Sequence, residues 1–255
     1  ARFPDAILFF RLGDFYEMFG DDAIKASRIL EITLTSREVG KGERIPMCGV
    51  PYHAADSYVA TLVSKGFKVA ICDQLEDPAK AKGVVHRDVT RIVTPGTVTL
   101  EQALEAKSQR LLVAVCRHQR SWGLACLDAS TGGFWATEIG EPDATVKVAE
   151  ELARLKPAEL LLGPGVAERL PVREVPSQEY DPRAFALETA YRLLTRHFQT
   201  HSLHSFGVED KPAAIRAAGA ALAYLAETQR TSLAHVTHLV SYQLDDHMRL
   251  DEATR

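Results

Sequence analysis

Two aromatic side chains and a carboxylate stand together near the start of the chain, as Phe15, Tyr16 and Glu17. In an extended strand successive side chains point to opposite faces, so Phe15 and Glu17 share one side and Tyr16 takes the other. We expect Tyr16 and Phe19 to enter the core, which leaves Phe15 and Glu17 displayed together. An exposed ring beside an acceptor is suited to enter a stack of nucleic-acid bases while the carboxylate reaches a base edge.

Such a ring would act as a wedge between base pairs. Inserting it costs about a few kcal/mol of unstacking and kinks the duplex. The cost is smallest where pairing is already broken, so deformability would distinguish one DNA site from another. A carboxylate near a polyanion is normally repelled, and it is useful only if it hydrogen-bonds a base. The alternative is a strand-to-helix corner that buries Phe15, and these residues alone leave both interpretations open.

The overall charge gives no support for a nucleic-acid binder. The chain has 255 residues and a formal net charge of −4, so its overall field is weakly repulsive to a polyanion. A DNA-binding function must then rest on a local site. The length fits two domains, and the 46% apolar and 25% charged residues are typical of a soluble globular protein. Because no apolar run approaches the roughly 20 residues of a membrane span and no signal peptide is recognisable, we expect a cytoplasmic protein.

The elements that position Phe15 and Glu17 are predicted to form a first mixed α/β unit over residues 1–96. Asp21 or Asp22 is expected to cap the first helix of this unit. Its elements in order are a strand at 7–10, that helix, a second helix with Val59, Leu62 and Val63 on one face, strands at 68–72 and 89–93, and a Pro95-Gly96 turn.

A second α/β unit is predicted over residues 110–230, after a polar connector at 97–109. Its elements in order are strands at 111–116, 122–128 and 133–138 in two antiparallel hairpins, a helix at 143–155, a strand at 159–162, and helices with apolar stripes at Leu187, Ala190, Leu194 and Phe198 and at Ile215, Ala218, Leu222 and Leu225. From about Thr231 the texture changes. Residues 231–255 are therefore interpreted as the start of a truncated third domain.

Other patterns predict little chemistry. His197, His201 and His204 have a spacing compatible with zinc, but no cysteine lies nearby, and a helix end followed by a loop is favoured. No G-x-x-x-x-G-K-[ST] sequence occurs, so ATP chemistry is not expected of these 255 residues. The four cysteines lack C-x-x-C spacing and are expected to be reduced core thiols. They are Cys48, Cys72, Cys116 and Cys126.

Basic residues near predicted turns of the first unit have two interpretations. They either meet DNA phosphates or form a solvated surface, and the sequence does not decide between them. These residues are Lys41, Arg44, Lys65 and Lys68.

Five motifs in order along the chain resemble the bacterial MutS family. They are FRLGDFYEMF at 10–19, IPMCGVPYHA at 45–54, RIVTPGT at 91–97, FGVE at 206–209 and TQRT at 228–231. The resemblance implies a mismatch-binding domain, a connector domain with an RNase H-like α/β fold, and the first residues of a helical core domain. It implies that Phe15 stacks on a mispaired base and that Glu17 hydrogen-bonds it. Arg37 falls where the family places a basic residue near the DNA backbone, and the supporting neighbours expected around the wedge are Asp14, Met47, Pro51 and His53.

The resemblance also implies partners and limits. Mismatched double-stranded DNA and a MutL-type protein are the expected partners, and the full-length family protein is a homodimer that uses ATP and Mg, works in the bacterial cytoplasm and is associated with the nucleoid. These 255 residues alone are expected to be monomeric and to hold no cofactor. Two other functions remain open: binding of recombination intermediates, and an RNase H-like nuclease. The nuclease is disfavoured because two-metal chemistry needs several converging carboxylates, whereas Asp128 stands almost alone.

Overall fold

A computed structural model describes residues 3–40, 42–75, 86–98, 110–170, 175–230 and 232–244. The chain divides into two compact units. The first comprises residues 1–109 with 227–231, and the second comprises residues 110–226 with 232–255. Each unit contains one mixed six-stranded sheet, which confirms the predicted mixed α/β fold class. The connector expected at 97–109 falls mostly outside the described residues.

The first unit is built on a sheet with the strand order β3-β4-β2-β1-β5-β6. Strands β1 and β5 are parallel, and the other neighbours are antiparallel. The strands are β1 Ala6–Leu12, β2 Phe15–Phe19, β3 Thr35–Gly40, β4 Glu43–Pro51, β5 Lys68–Gln74 and β6 Arg87–Val93. The candidate tripeptide therefore lies on a central strand, where its neighbours on both sides fix its register.

Helices α1 (Gly20–Leu30) and α2 (Ala55–Ser64) cover one face of this sheet. Phe9 and Met18 from the sheet and Leu62 from α2 are fully buried between the layers. On the opposite face, Leu8 of β1 and Phe15 of β2 are 37% and 48% exposed. The sheet therefore has one face packed on helices and another that displays apolar side chains around β1 and β2.

The expected cap of α1 is wrong. The N-cap residue is Phe19, which makes no side-chain cap bond, and Asp21 and Asp22 lie within the first turn. There a carboxylate still interacts favourably with the positive end of the helix dipole. Asp22 also accepts a hydrogen bond of 3.0 Å from the backbone N–H of Leu8, which ties the helix start to β1.

The second unit has the strand order β11-β10-β7-β8-β9-β12. Strands β7 to β9 form the predicted antiparallel hairpins, while β10 is parallel to β7 and β11, the arrangement expected of the RNase H-like fold. The strands are β7 Leu112–His118, β8 Ser121–Leu127, β9 Phe134–Ile139, β10 Glu159–Leu162, β11 Ser177–Glu179 and β12 Val240–Ser241; the helices are α3 Ala144–Leu155, α4 Leu187–His197 and α5 Pro212–Gln229. Both predicted helical stripes are confirmed, since Ala190 and Leu194 of α4 and Ile215 and Leu222 of α5 are buried.

For the described residues 232–244, the expected start of a separate domain at residue 231 is wrong. Leu233, Val236 and Leu239 are buried in the core of the second unit. Strand β12 then pairs in parallel with β9, Val240 opposite Trp135. The change of texture after α5 reflects an irregular segment without helical or strand periodicity, and its apolar residues nevertheless fill the edge of this core.

Candidate nucleic-acid interface

The turn between β1 and β2 places Phe15 at the tip of a hairpin. Gly13 occupies the first turn position with φ +57°, a conformation that favours glycine. The Arg11 guanidinium donates to the Gly13 carbonyl at 2.5 Å and lies 3.6 Å from the centroid of the Tyr52 ring. The backbone N–H of Tyr52 donates to the Asp14 carbonyl at 2.9 Å. Arg11 and Tyr52 therefore hold the turn, and the backbone that carries Phe15 is fixed.

Side chains alternate along β2 as the sequence predicts, with one correction. Phe15 is 48% exposed, whereas Tyr16 and Met18 are buried against the helices. Phe19 is only partly buried and shares the face of Phe15 and Glu17. The expectation that Phe19 enters the core is wrong, because the alternation of the strand continues to its last residue and gives that place to Met18.

Tyr16 anchors β2 from the covered face. Its hydroxyl donates to Asp73 of β5 at 2.5 Å, and Thr90 of β6 donates to the other oxygen of Asp73 at 2.6 Å. Burial, together with the hydrogen bond to Asp73, raises the pKa of Tyr16 well above its ordinary value. The hydroxyl is therefore a permanent donor, and it fixes the strand whose other face carries Phe15 and Glu17.

The change Tyr16→Phe is expected to destabilise the first unit by about 1 kcal/mol, the usual contribution of one such hydrogen bond. Amide hydrogen exchange in β2 and β5 measures this loss. Tryptophan fluorescence does not serve, because Trp122 and Trp135 both belong to the second unit. Tyr52→Phe is the matched control, since that ring is 50% exposed, and it is expected to change stability by less than about 0.5 kcal/mol. Equal effects of the two changes would contradict the anchoring role.

The carboxylate of Glu17 is paired. Arg37 of β3 donates through Nη1 to Glu17 Oε2 at 2.9 Å, and the side chains are 49% and 19% exposed respectively. Strand β4 lies between them, and the residue of β4 opposite Glu17 is Gly49. A Cβ at position 49 would lie 3.6 Å from Glu17 Cγ, so glycine leaves space beside the Glu17 side chain. The structure therefore brings Arg37, which the resemblance assigned to the DNA backbone, into direct contact with Glu17.

The supporting residues lie around this pair. Pro51 is the β4 neighbour of Phe15, and Met47 is the β4 neighbour of Phe19. Asp14 belongs to the hairpin turn, and His53 is exposed in the short 3₁₀ turn Tyr52–Ala54 with its ring edge-on to Tyr52. Sequence reasoning missed Arg11 and Gly49, whereas the loop at 51–53 that it named as a neighbour of the site includes Tyr52. The signal that was available for Arg11 and Gly49 is their position within two of the recognised motifs, at 10–19 and 45–54.

The remaining basic residues give a thin positive surface. Arg44 of β4 donates to the hydroxyl and the carbonyl oxygen of Ser36 on β3. Lys65 follows the end of α2, and Lys68 begins β5. Lys41 lies outside the described residues. On the face of Phe15 and Glu17, positive charge comes from Arg37, which contacts Glu17, and from Arg87, whose guanidinium lies 5.4 Å from the centre of the Phe10 ring.

The parts of the chain that the structure describes contain no candidate metal-binding site. No group of three or more His, Cys, Asp or Glu residues there is placed to hold a metal ion. The zinc pattern is interrupted, because His197 Nε2 lies 2.7 Å from the carbonyl oxygen of Val236 and His204 begins a separate 3₁₀ turn. The favoured interpretation of a helix end followed by a loop agrees with the end of α4 at His197.

Asp128, the nuclease candidate, serves the turn after β8. Its Oδ1 accepts hydrogen bonds from the Ser130 hydroxyl at 2.6 Å and from the backbone N–H groups of Ser130 and Thr131 at 2.9 and 3.3 Å. Burial alone would raise the pKa of Asp128, but these hydrogen bonds outweigh it and lower the pKa below its ordinary value. The carboxylate is committed to holding a turn, which disfavours a role in binding a catalytic metal.

The four cysteines are buried free thiols, as expected. Burial raises the pKa of Cys48 to about 11 and those of Cys116 and Cys126 to about 12, so these thiols stay protonated and unreactive at neutral pH. Among the described residues, no helix has the length and apolar character required to cross a bilayer.

Comparison with known proteins matches the whole chain to one family. The family model described as MutS domain I matches residues 1–102, and that described as MutS domain II matches residues 110–237. The proteins named DNA mismatch repair protein MutS from Symbiobacterium thermophilum and Myxococcus xanthus are 49% and 47% identical over 100% of this chain. The protein of that name from Syntrophomonas wolfei is 48% identical over 98%. The chain spans about 30% of the length of these relatives.

Proposed function

This chain belongs to the MutS family of DNA mismatch repair proteins, and we propose on that basis that its first unit recognises mismatched or unpaired bases in duplex DNA. The observation that carries the proposal is the half-exposed Phe15 ring beside the Glu17 carboxylate on one face of β2. A large apolar side chain at the tip of a fixed hairpin is otherwise unfavourable at a protein surface. Its exposure is explained if the ring is buried in a partner.

Phe15 is the wedge in this proposal. Stacking of a base on an aromatic ring contributes about 1–3 kcal/mol, while unstacking a base step costs about a few kcal/mol. At a matched step, where pairing is intact, the unstacking cost exceeds the stacking gain and insertion is unfavourable. At a mispaired or unpaired base the cost falls, and insertion becomes favourable. The preference therefore arises from the deformability of the DNA together with a ring that needs no rearrangement to enter it.

Glu17 accepts a hydrogen bond from the base that Phe15 displaces. It follows Phe15 by two residues on the same face, so both side chains meet the DNA on one side of the strand. An ionised carboxylate can accept hydrogen bonds but cannot donate them, and phosphates repel it, so it disfavours any complex in which no base donates to it. The repulsion lowers the affinity for matched DNA, and the hydrogen bond raises the affinity for the distorted site.

The second unit has a different task in this proposal. It relays the recognition of the mismatch to an ATPase region and offers a surface to a MutL-type partner. We propose that ATP and Mg act in the full-length protein, the natural polypeptide that contains this chain, which works as a homodimer in the bacterial cytoplasm at the nucleoid. The 255 residues alone contain no G-x-x-x-x-G-K-[ST] sequence and are expected to be monomeric and to neither bind nor hydrolyse ATP.

A panel of DNA ligands tests the function. The full-length protein is expected to bind duplexes with a G·T pair or an unpaired T at least about ten-fold more tightly than a matched duplex, a difference of about 1.4 kcal/mol. Fluorescence anisotropy at one stated salt concentration measures the dissociation constants, since the phosphate contribution depends on salt. A four-way junction is the control ligand. Equal affinity for the junction and the mismatched duplex would instead favour a relative that binds recombination intermediates.

A further inference from the structure

The ion pair between Glu17 and Arg37 contributes little to the stability of the fold. The Arg37 side chain is 49% exposed and the contact consists of a single hydrogen bond of 2.9 Å. Exposed ion pairs of this kind are weak, because solvent screens the charges and the long side chains lose freedom. The pair nevertheless involves the carboxylate to which the proposed function assigns contact with a base.

The approach of Arg37 is set by the sheet rather than by local sequence. Arg37 lies opposite Ile45 in the pairing of β3 with β4, whereas Glu17 lies opposite Gly49 in the pairing of β4 with β2. The arginine therefore crosses the width of β4 to reach Glu17, and its guanidinium carbon passes 5.9 Å from the centre of the Phe19 ring. A Cβ at position 49 would meet Glu17 Cγ at 3.6 Å, so a larger residue there would crowd the carboxylate member of the pair.

The contact has two consequences for a base that approaches Glu17. A carboxylate offers acceptor sites on both oxygens, so a guanidinium on Oε2 leaves Oε1 able to accept from a base while it restricts rotation of the group. The positive charge also offsets the repulsion between the carboxylate and the DNA phosphates. Both consequences favour a carboxylate that is already oriented when the DNA arrives.

We propose that Arg37 is a positioning residue for Glu17: it orients and charge-balances the carboxylate, and through it sets the preference for mismatched DNA. The inference rests on the proposed function, because it assumes that Glu17 meets a base. It differs from a role in which Arg37 simply binds a phosphate. A phosphate contact would strengthen binding to all duplexes alike, whereas positioning acts only through Glu17.

A double-mutant cycle separates the two roles. The preference is measured as the ratio of dissociation constants for matched and mismatched duplex, using a G·T duplex and its matched counterpart with the full-length protein. Arg37→Met is expected to lower this ratio roughly five- to ten-fold when Glu17 is present, and by less than about two-fold in a Glu17→Gln background. An equal decrease in both backgrounds, or an unchanged ratio with Glu17 present, would overturn the inference.

Arg44→Met is the matched control, since Arg44 is an exposed arginine of the same pair of strands that bonds Ser36 and not Glu17. It is expected to weaken binding to both duplexes equally. Arg37→Lys, which keeps the charge on a different donor, is expected to restore part of the lost ratio, and thermal unfolding verifies that each variant is folded. If the wild type prefers the mismatch but the cycle shows no coupling, this inference alone fails. If the wild type shows no preference, the proposed function fails.

Discussion

Replacing Phe15 with alanine is expected to remove most of the preference for mismatched DNA. The ring is 48% exposed at the tip of a hairpin, and the change removes the stacking surface without opening a cavity in the core. Losing about 1–3 kcal/mol of stacking lowers affinity for a mismatched duplex by roughly 5- to 150-fold. Affinity for matched duplex changes far less, since insertion is unfavourable there. Competition anisotropy with G·T, unpaired-T and matched duplexes measures the three constants.

Leu8→Ala is the control for Phe15→Ala. Leu8 lies on the adjacent strand β1, is 37% exposed, and also presents an apolar side chain on the uncovered side of the sheet. We expect it to leave the preference within about two-fold of wild type, because an aliphatic side chain set back from the hairpin tip offers no ring to stack. Discrimination that survives Phe15→Ala, or falls equally with Leu8→Ala, would show that the wedge is not at Phe15.

Replacing Glu17 with alanine is expected to reduce the preference for mismatched DNA in two ways: binding to mismatched duplex weakens and binding to matched duplex strengthens. The lost hydrogen bond to the base is of the charged kind, worth about 1.5–3 kcal/mol, which weakens mismatch binding by roughly 10- to 150-fold. At the same time a repelling charge disappears and Arg37 is released to pair with a phosphate. Affinity for matched duplex is therefore expected to rise several-fold. The same anisotropy titrations, repeated at two salt concentrations, measure both changes.

Glu38→Ala is the control that separates the role of Glu17 as a hydrogen-bond acceptor from the effect of its negative charge. Glu38 lies on β3 next to Arg37 in sequence, is exposed, and carries the same charge away from the wedge. Its removal is expected to strengthen binding to matched and mismatched duplexes alike and to leave their ratio unchanged. If Glu38→Ala and Glu17→Ala had the same effects, Glu17 would act only as a surface charge, and its proposed contact with a base would be wrong.

The alternation along β2 was predictable because it depends only on local geometry. Once Phe15 is on one side of an extended strand, Glu17 must be on the same side and Tyr16 on the other. The same alternation places Met18 in the core and Phe19 on the face of Phe15, so the sequence contained this information. The expectation that Phe19 is buried was wrong because it relied on the size of the aromatic ring and not on the alternation of the strand.

The pairing of Glu17 with Arg37 was not predictable from local sequence. Strands β3 and β4 carry mostly exposed or partly exposed residues, so they lack the apolar alternation that identifies a half-buried strand. Without those strands, nothing places Arg37 two strands away from Glu17 with Gly49 between them. The register that joins the pair is a property of the assembled sheet.

The second unit contains both segments that periodic sequence patterns predict and a segment that they do not. Its helices and central strands have strong periodicity, and the structure confirms them. Leu233, Val236 and Leu239 have no regular spacing, so their burial in the same core depends on an irregular path that no periodic pattern describes. The recognition of the family, by contrast, depended on short motifs in order, which irregular segments carry as well as helices do.

A structure of the full-length protein bound to a duplex with one unpaired T tests the central claim most directly. The account predicts that the Phe15 ring is stacked on the unpaired base or its neighbour, with a Glu17 carboxylate oxygen within about 3.2 Å of a donor on that base. A complex in which Phe15 remains outside the base stack while another side chain enters it would contradict the account.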